Sequence, residues 1–259
     1  MLHTECSGHG PDLVMLHGWG MHSAIWGECA RRLARRLRVT LVDLPGHGRS
    51  RSCAAMESLA SLVEAIAEVA PPRAIWVGWS LGGLAALRAA LDLPQRLAGL
   101  VLVATNASFV QRPGWPWAQS EAILEGFADE LARDHRGVLR RFVALQVRGS
   151  DAERQQLHIL RERLFLHETP DSGMLEAGLR LLKQSDLRAE LPCVDRPVLQ
   201  VAGERDRLVP VEAAIRQAAL LPGGALEVLT GAGHAPFLSH PDRFCEVVEA
   251  FIDERISFG

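Results

Sequence analysis

The stretch Ile75-Trp76-Val77-Gly78-Trp79-Ser80-Leu81-Gly82-Gly83 runs from a short apolar segment straight into a helix-patterned segment, residues 84–91. Its centre reads G-x-S-x-G. Between a strand and a helix, that pattern sets a serine on a sharp elbow with its hydroxyl exposed at the strand's end. The flanking glycines have a steric role, because strand and helix backbones approach closely there. A serine hydroxyl is a weak nucleophile until a base activates it. The stretch therefore predicts a parallel strand feeding a helix, and it sends the search outward for a base and an acid.

The same alternation continues on both sides. Apolar runs at 13–16, 39–42, 74–77, 100–103, 198–201 and 226–229 are predicted strands. Segments 24–37, 58–69, 81–91, 211–220 and 242–252 have helical spacing. Short apolar strands separated by helices predict an α/β protein with a mostly parallel, doubly wound sheet covered on both faces. Residues 110–184 break this rhythm. They open with Arg112-Pro113-Gly114-Trp115-Pro116-Trp117, hold no β-rich run, and read as helices. The expected organisation is a core of 1–109 and 185–259 with a helical cap at 110–184.

His234 stands in Gly231-Ala232-Gly233-His234-Ala235-Pro236, directly after the predicted strand 226–229. A short loop there delivers its side chain to the carboxyl edge of the sheet, the edge that carries Ser80. Asp206 stands in Gly203-Glu204-Arg205-Asp206, after strand 198–201, as the acid that orients the base. Glu204, two residues away, is the rival acid. Asp43 also follows a strand, but it precedes the serine and reads as a loop anchor. His17, His47 and His240 are the competing histidines, the first two in turn motifs. One oxyanion donor is the N–H of Leu81, the residue after the nucleophile. The second is expected from the glycine-flanked Trp19 N–H in His17-Gly18-Trp19-Gly20.

Composition narrows the function classes. Of 259 residues, 48% are hydrophobic and 23% charged, an ordinary globular balance. A net charge of −3 gives no sign of a nucleic-acid partner. There is no tyrosine, and Lys183 is the one lysine, so 27 of the 28 basic residues are arginine. The five cysteines are an odd number without a C-x-x-C, which points to reduced thiols in the cytoplasm rather than disulfides or zinc. No histidine pair has H-E-x-x-H spacing, so no metal is expected, and hydrolysis by a base-activated serine needs no cofactor. The N-terminus has no signal pattern and no apolar run reaches a membrane-spanning length. Residues 133–163 hold eight arginines against four acids, a local +4. Arg133, Arg136 and Arg140 fall at i, i+3 and i+7, which predicts one shared helix face. A plain solvated face is the competing reading.

Taken together, His17–Gly20, the DLPGHGRS run at 43–50, GWSLGG at 78–83, GERDRLVP at 203–210 and GAGHAPFLSHP at 231–241 resemble the α/β-hydrolase superfamily over nearly the whole chain. LHGWG, the elbow tryptophan, RFVALQ at 141–146 and HAPFLSHP are similar to the biotin-pathway carboxylesterases that demethylate pimeloyl-[acyl-carrier protein] methyl ester. The resemblance implies a monomer whose cap arginines dock an acidic acyl-carrier protein; here these are Arg136, Arg140, Arg141, Arg154 and Arg161. It implies an acyl channel lined from the cap by Phe142, Val143, Ala144, Leu145 and Gln146, with Trp19 and Trp79 opposite. A generic short-chain carboxylesterase or lactonase shares the same triad but would ignore the carrier. Carbon–carbon bond hydrolysis uses the same triad as well. A ligand receptor on the same shell would turn over slowly or not at all.

Overall fold

The computed structural model describes residues 1–50, 56–151, 153–164, 166–167 and 170–257. Cys53 lies outside them. Among the described residues seven strands form one sheet: β1 (Thr4–Ser7), β2 (Asp12–Leu16), β3 (Arg38–Val42), β4 (Ala74–Trp79), β5 (Leu97–Val103), β6 (Val198–Gly203) and β7 (Gly224–Leu229). Their order is β1-β3-β2-β4-β5-β6-β7, and every pair is parallel except β1 with β3. Every residue of β4, β5 and β6 is buried, as expected of central strands covered on both faces.

The helices are α1 (Gly27–Leu33), α2 (Leu59–Ala67), α3 (Leu81–Asp92), α4 (Glu121–Val147), α5 (Glu153–Leu164), α6 (Ser172–Gln184), α7 (Val211–Leu220), α8 (Pro236–Ser239) and α9 (Pro241–Arg255). The helix expected over 24–37 is a 3-10 turn, Ser23–Trp26, followed by α1, which stops at Leu33. Strand β1 has no counterpart among the predicted strands. Its residues, TECS, are mostly exposed and carry no apolar run, because an antiparallel edge strand has little to bury.

Helices α4, α5 and α6 lie between β5 and β6 in the chain. Helix α4 is broken at Asp134, whose backbone is non-helical (φ −150°, ψ 72°). The Asp134 carboxylate accepts the Gly137 N–H at 2.8 Å, so it caps a second helical segment. This corrects the expected arginine face. Arg133 precedes the break and Arg136 and Arg140 follow it, so no single helix carries all three. At the break the Asp134 side chain takes the Gly137 N–H, one of the donors that the start of a new helical segment leaves without a backbone acceptor.

Strand order reverses between β2, whose neighbour β3 lies on one side, and β4 on the other. In a doubly wound sheet, ligands bind beyond the carboxyl ends of the strands at such a switch. The loop 17–20 follows β2, and Ser80 follows β4. These two strands are paired through Leu16 and Gly78.

Candidate active site

Ser80 is a rare non-glycine residue with positive φ (54°, ψ −115°), at the junction of β4 and α3. The strained turn is held by its surroundings. The Ser80 N–H donates to Val103 O at 3.0 Å, and Ser80 O accepts from Leu84 N–H at 3.0 Å and from the Thr105 hydroxyl at 3.3 Å. A Cβ on Gly82 would sit 2.5 Å from His17 O and 2.6 Å from Leu16 O. A Cβ on Gly83 would strike Thr105 and the Gly78 carbonyl. Glycine is thus required where α3 rests on β2 and β4.

His234 follows β7 and is 1% exposed. Its Nδ1 lies 2.8 Å from Asp206 Oδ2, with both side chains buried. The other carboxylate oxygen, Oδ1, accepts the N–H groups of Leu208 (2.8 Å) and Val209 (2.9 Å). Those two donors fix the carboxylate, so the imidazole must place its proton on Nδ1 and its lone pair on Nε2. Nε2 is buried and without a hydrogen-bond partner. Glu204, the rival acid, points elsewhere: its Oε2 accepts the Gly231 N–H at 2.9 Å and supports the loop of His234. The Trp79 indole N–H donates to His234 O at 2.8 Å, and the His234 N–H donates to Gln146 O at 2.9 Å. The base is therefore clamped from the elbow on one side and from α4 on the other.

The competing histidines His17, His47 and His240 have other partners. His17 Nδ1 bonds Gly18 O at 2.8 Å and its Nε2 accepts from Leu44 N–H at 2.9 Å. His47 Nδ1 bonds Pro45 O at 2.8 Å and its Nε2 accepts from Gly20 N–H at 3.2 Å. Burial, with His47 beside it, holds the His17 pKa down at about 3. Burial likewise lowers His47 to about 4. Both are neutral rings bracing the loop 17–20. His240 Nδ1 meets Ser239 Oγ at 2.8 Å, outside the cavity of Ser80. The Asp43 carboxylate takes the N–H groups of Ser23 (2.7 Å) and Arg49 (2.9 Å), so it is a loop anchor. Lys183 pairs with Glu125 at 2.7 Å and Glu121 at 3.0 Å. Those hydrogen bonds raise its pKa, the opposite of what imine chemistry needs.

Leu81 is the first residue of α3, so its N–H has no acceptor within the helix. Trp19 sits between Gly18 and Gly20 (φ 73°), and its indole N–H donates to Leu175 O of α6 at 2.8 Å. A Cβ on Gly18 would lie 3.3 Å from Ser80 Cβ, which brings the loop 17–20 against the elbow. A Cβ on Gly178 of α6 would lie 2.6 Å from Trp19 and 3.4 Å from Leu81, so these two side chains share one patch of α6.

Ser80 and His234 line a narrow apolar cavity with about 30 Å³ of free space. Its walls are Ile123, Leu124, Phe127 and Phe142 of α4, Leu179 and Leu182 of α6, and Phe109, Gln119 and Leu208. Of the five cap residues expected to line an acyl channel, Phe142 lines this cavity, edge-on to Trp19 at 4.7 Å. Ala144 and Leu145 line a separate groove on the outer side of α4. Val143 is buried, and Gln146 is buried with both amide atoms unpartnered and its carbonyl on His234. Trp79 lies under His234, with ring centres 5.8 Å apart, rather than on the opposite wall. A contiguous pentapeptide on a helix points in several directions, so it does not form one wall. Phe109, Gln119, Ile123, Leu124, Phe127, Leu179, Leu182 and Leu208 were not foreseen. Nothing local separates them from ordinary core residues, because distant segments bring them together.

Arg136, Arg140, Arg141, Arg154 and Arg161 are exposed on the second segment of α4 and on α5, which pack on each other. Arg141 is paired with Glu130. No helix among the described residues is long and apolar enough to cross a membrane.

The sequence profile of the alpha/beta hydrolase family matches residues 13–247. The chain is 45% identical over 96% of its length to the pimeloyl-[acyl-carrier protein] methyl ester esterase of Nitrosomonas europaea, covering 98% of that protein. It is 45% identical over 97% of its length to the protein of that name in Xanthomonas oryzae, again covering 98% of the relative. Among solved structures it resembles an esterase from Exiguobacterium antarcticum, with TM-score 0.87 and 23% identity over 98% of this chain and 96% of that one. At that identity the likeness speaks for the fold.

Proposed function

The chain belongs to the alpha/beta hydrolase family, and from that premise we propose a serine carboxylesterase that converts pimeloyl-[acyl-carrier protein] methyl ester to pimeloyl-[acyl-carrier protein] and methanol in biotin synthesis. One observation carries the chemistry: Ser80 and the Asp206-oriented His234 share a buried apolar cavity, with the lone pair of Nε2 left uncommitted. The choice of ester follows the two relatives, alike over nearly the full length of each chain.

In this reading His234 Nε2 takes the Ser80 proton as Oγ attacks the ester carbonyl. The N–H groups of Leu81 and Trp19 hold the oxyanion that forms. His234 then gives its proton to the departing methoxide, releasing methanol and leaving an acyl-Ser80 ester. Water enters, His234 takes one of its protons, and the hydroxyl attacks the acyl carbon. Collapse returns the proton to Ser80 and releases the free carboxylate. Asp206 stabilises the imidazolium in both halves. No step calls for a metal or a cofactor. Residues 110–184 act as a cap on the core of 1–109 and 185–259. The arginines of α4 and α5 attract the acidic carrier protein, and the enzyme works as a cytoplasmic monomer.

Steady-state hydrolysis of the carrier-bound methyl ester, and of the same ester without the carrier, tests the reading. The expected result is a large preference for the carrier that fades as salt rises, because exposed charges are screened. Equal rates that ignore salt would leave a generic carboxylesterase and make the arginines a solvated surface.

A further inference from the structure

The catalytic cavity is too small for the substrate of the proposed reaction. Free space of about 30 Å³ holds only about one or two water molecules. An acyl chain attached at Ser80 must therefore leave the cavity, and among the described residues two neighbouring spaces share walls with it. One is a groove of about 560 Å³ on the outer face of α4; the other is a groove of about 770 Å³ between α4 and α6.

Each groove shares two wall residues with the cavity, and the two pairs differ. Ile123 and Phe127 line both the cavity and the outer groove. They stand four residues apart on the first segment of α4, hence one above the other on one face. Ile123 is 43% exposed although its other side borders the cavity, so the wall there is one side chain thick. Gly126 lies beside the pair, and a Cβ on it would meet nothing within 4 Å. The rest of the outer groove combines apolar Ala122, Ala144 and Leu145 with a charged rim of Glu130, Arg141, Arg148 and Glu153, where Arg141 is paired with Glu130. On the other side, Leu124 and Leu179 separate the cavity from the second groove, and both are buried. That groove is lined by charged groups including Glu125, Asp129, Arg180 and Lys183. A methylene chain gains less from entering it, because six of its ten lining residues are charged, against four of ten in the outer groove, and covering them would cost their hydration.

We infer that Ile123 and Phe127 are the gate through which the acyl chain passes, and that the outer groove of α4 holds the chain beyond it. The inference rests on the esterase reading above. The ester end then reaches Ser80, the methylenes cross the gate, and the end joined to the carrier emerges on the side of α4 that carries Arg141 and Arg148. Ile123 and Phe127 would then determine which acyl groups are accepted.

The test is the ratio of kcat/KM for dimethyl pimelate to that for p-nitrophenyl acetate, whose acyl group needs no groove. Ala122→Trp fills the outer groove from an exposed position and should lower the ratio at least tenfold, through KM for the long ester. Ile123→Ala widens the gate and should raise the ratio of a branched-chain methyl ester to dimethyl pimelate. Ala128→Trp, in the second groove, should leave both substrates within about twofold of the wild type, and a thermal melt checks that each variant is folded. An active protein whose ratio falls with Ala128→Trp and not with Ala122→Trp would overturn the gate alone. A folded wild-type protein inert toward both esters would overturn the esterase reading, and the gate with it.

Discussion

Replacing Asp206 by Asn probes the orientation of the base with almost no change in shape. Oδ1 accepts two backbone N–H groups, from Leu208 and Val209, while Oδ2 faces His234 Nδ1 at 2.8 Å. The side-chain amide of Asp206→Asn has one acceptor oxygen, and the two N–H donors hold it at the Oδ1 position. Its NH₂ group must then face Nδ1. Two donors cannot meet, so the imidazole shifts its proton to Nε2, and the nitrogen that should accept the Ser80 proton already carries one. Loss of the correct tautomer in a comparable triad costs about 10⁴-fold in kcat, or about 5.4 kcal/mol of transition-state stabilisation. The assay is kcat for methyl ester hydrolysis at pH 7 to 8, with a melting curve to show that the fold persists. Glu204→Gln is the matched control. Its carboxylate supports the Gly231 N–H and never meets the imidazole, so its kcat should fall less than about tenfold. A folded Asp206→Asn protein with kcat within tenfold of the wild type would refute the assignment, most sharply if Glu204→Gln were the damaging change.

Ser80→Ala should abolish turnover while leaving carrier binding, read by titration calorimetry, unchanged. Trp79→Phe deletes the indole N–H from a buried bond to His234 O and should cost about 1–3 kcal/mol in denaturant unfolding, with a lower kcat. Gly82→Ala forces a Cβ against two carbonyl oxygens at about 2.5 Å; a soluble yield equal to the wild type would argue against the tight elbow. Stability should fall on acidification. His17 and His47 stay neutral in the fold, with pKa values near 3 and 4, but take up protons below about 6.5 when unfolded. Their contribution is complete above pH 6.5 and is lost as pH drops toward 4, at up to about 3 kcal/mol per pH unit. Unfolding free energies equal at pH 7 and pH 5 would contradict it.

The sheet was legible because its central strands are buried on both faces and read as apolar runs. The edge strand β1 was not, since an exposed antiparallel strand leaves no such run. Ser80, Asp206 and His234 each follow a strand and sit among glycines, so the loops that carry them could be read one at a time. The choice between Asp206 and Glu204 could not, because it depends on which carboxylate turns inward, and the Leu208 and Val209 amides decide that. The wall of the Ser80 cavity was the least legible part. It is assembled from α4, α6 and the loops after β5 and β6, and a contiguous run such as residues 142–146 sends only Phe142 into it. The break in α4 left a local sign, an aspartate three residues before Gly137, which the arginine spacing obscured.

If Ser80 forms the acyl-enzyme in a site built for a carrier-bound methyl ester, an alkyl fluorophosphonate should trap it there, as peptide mass spectrometry can read. The expected result is one adduct per chain on Ser80, complete loss of esterase activity, and protection by pimeloyl-[acyl-carrier protein] methyl ester. An adduct at another residue, or full turnover after stoichiometric labelling of Ser80, would contradict it.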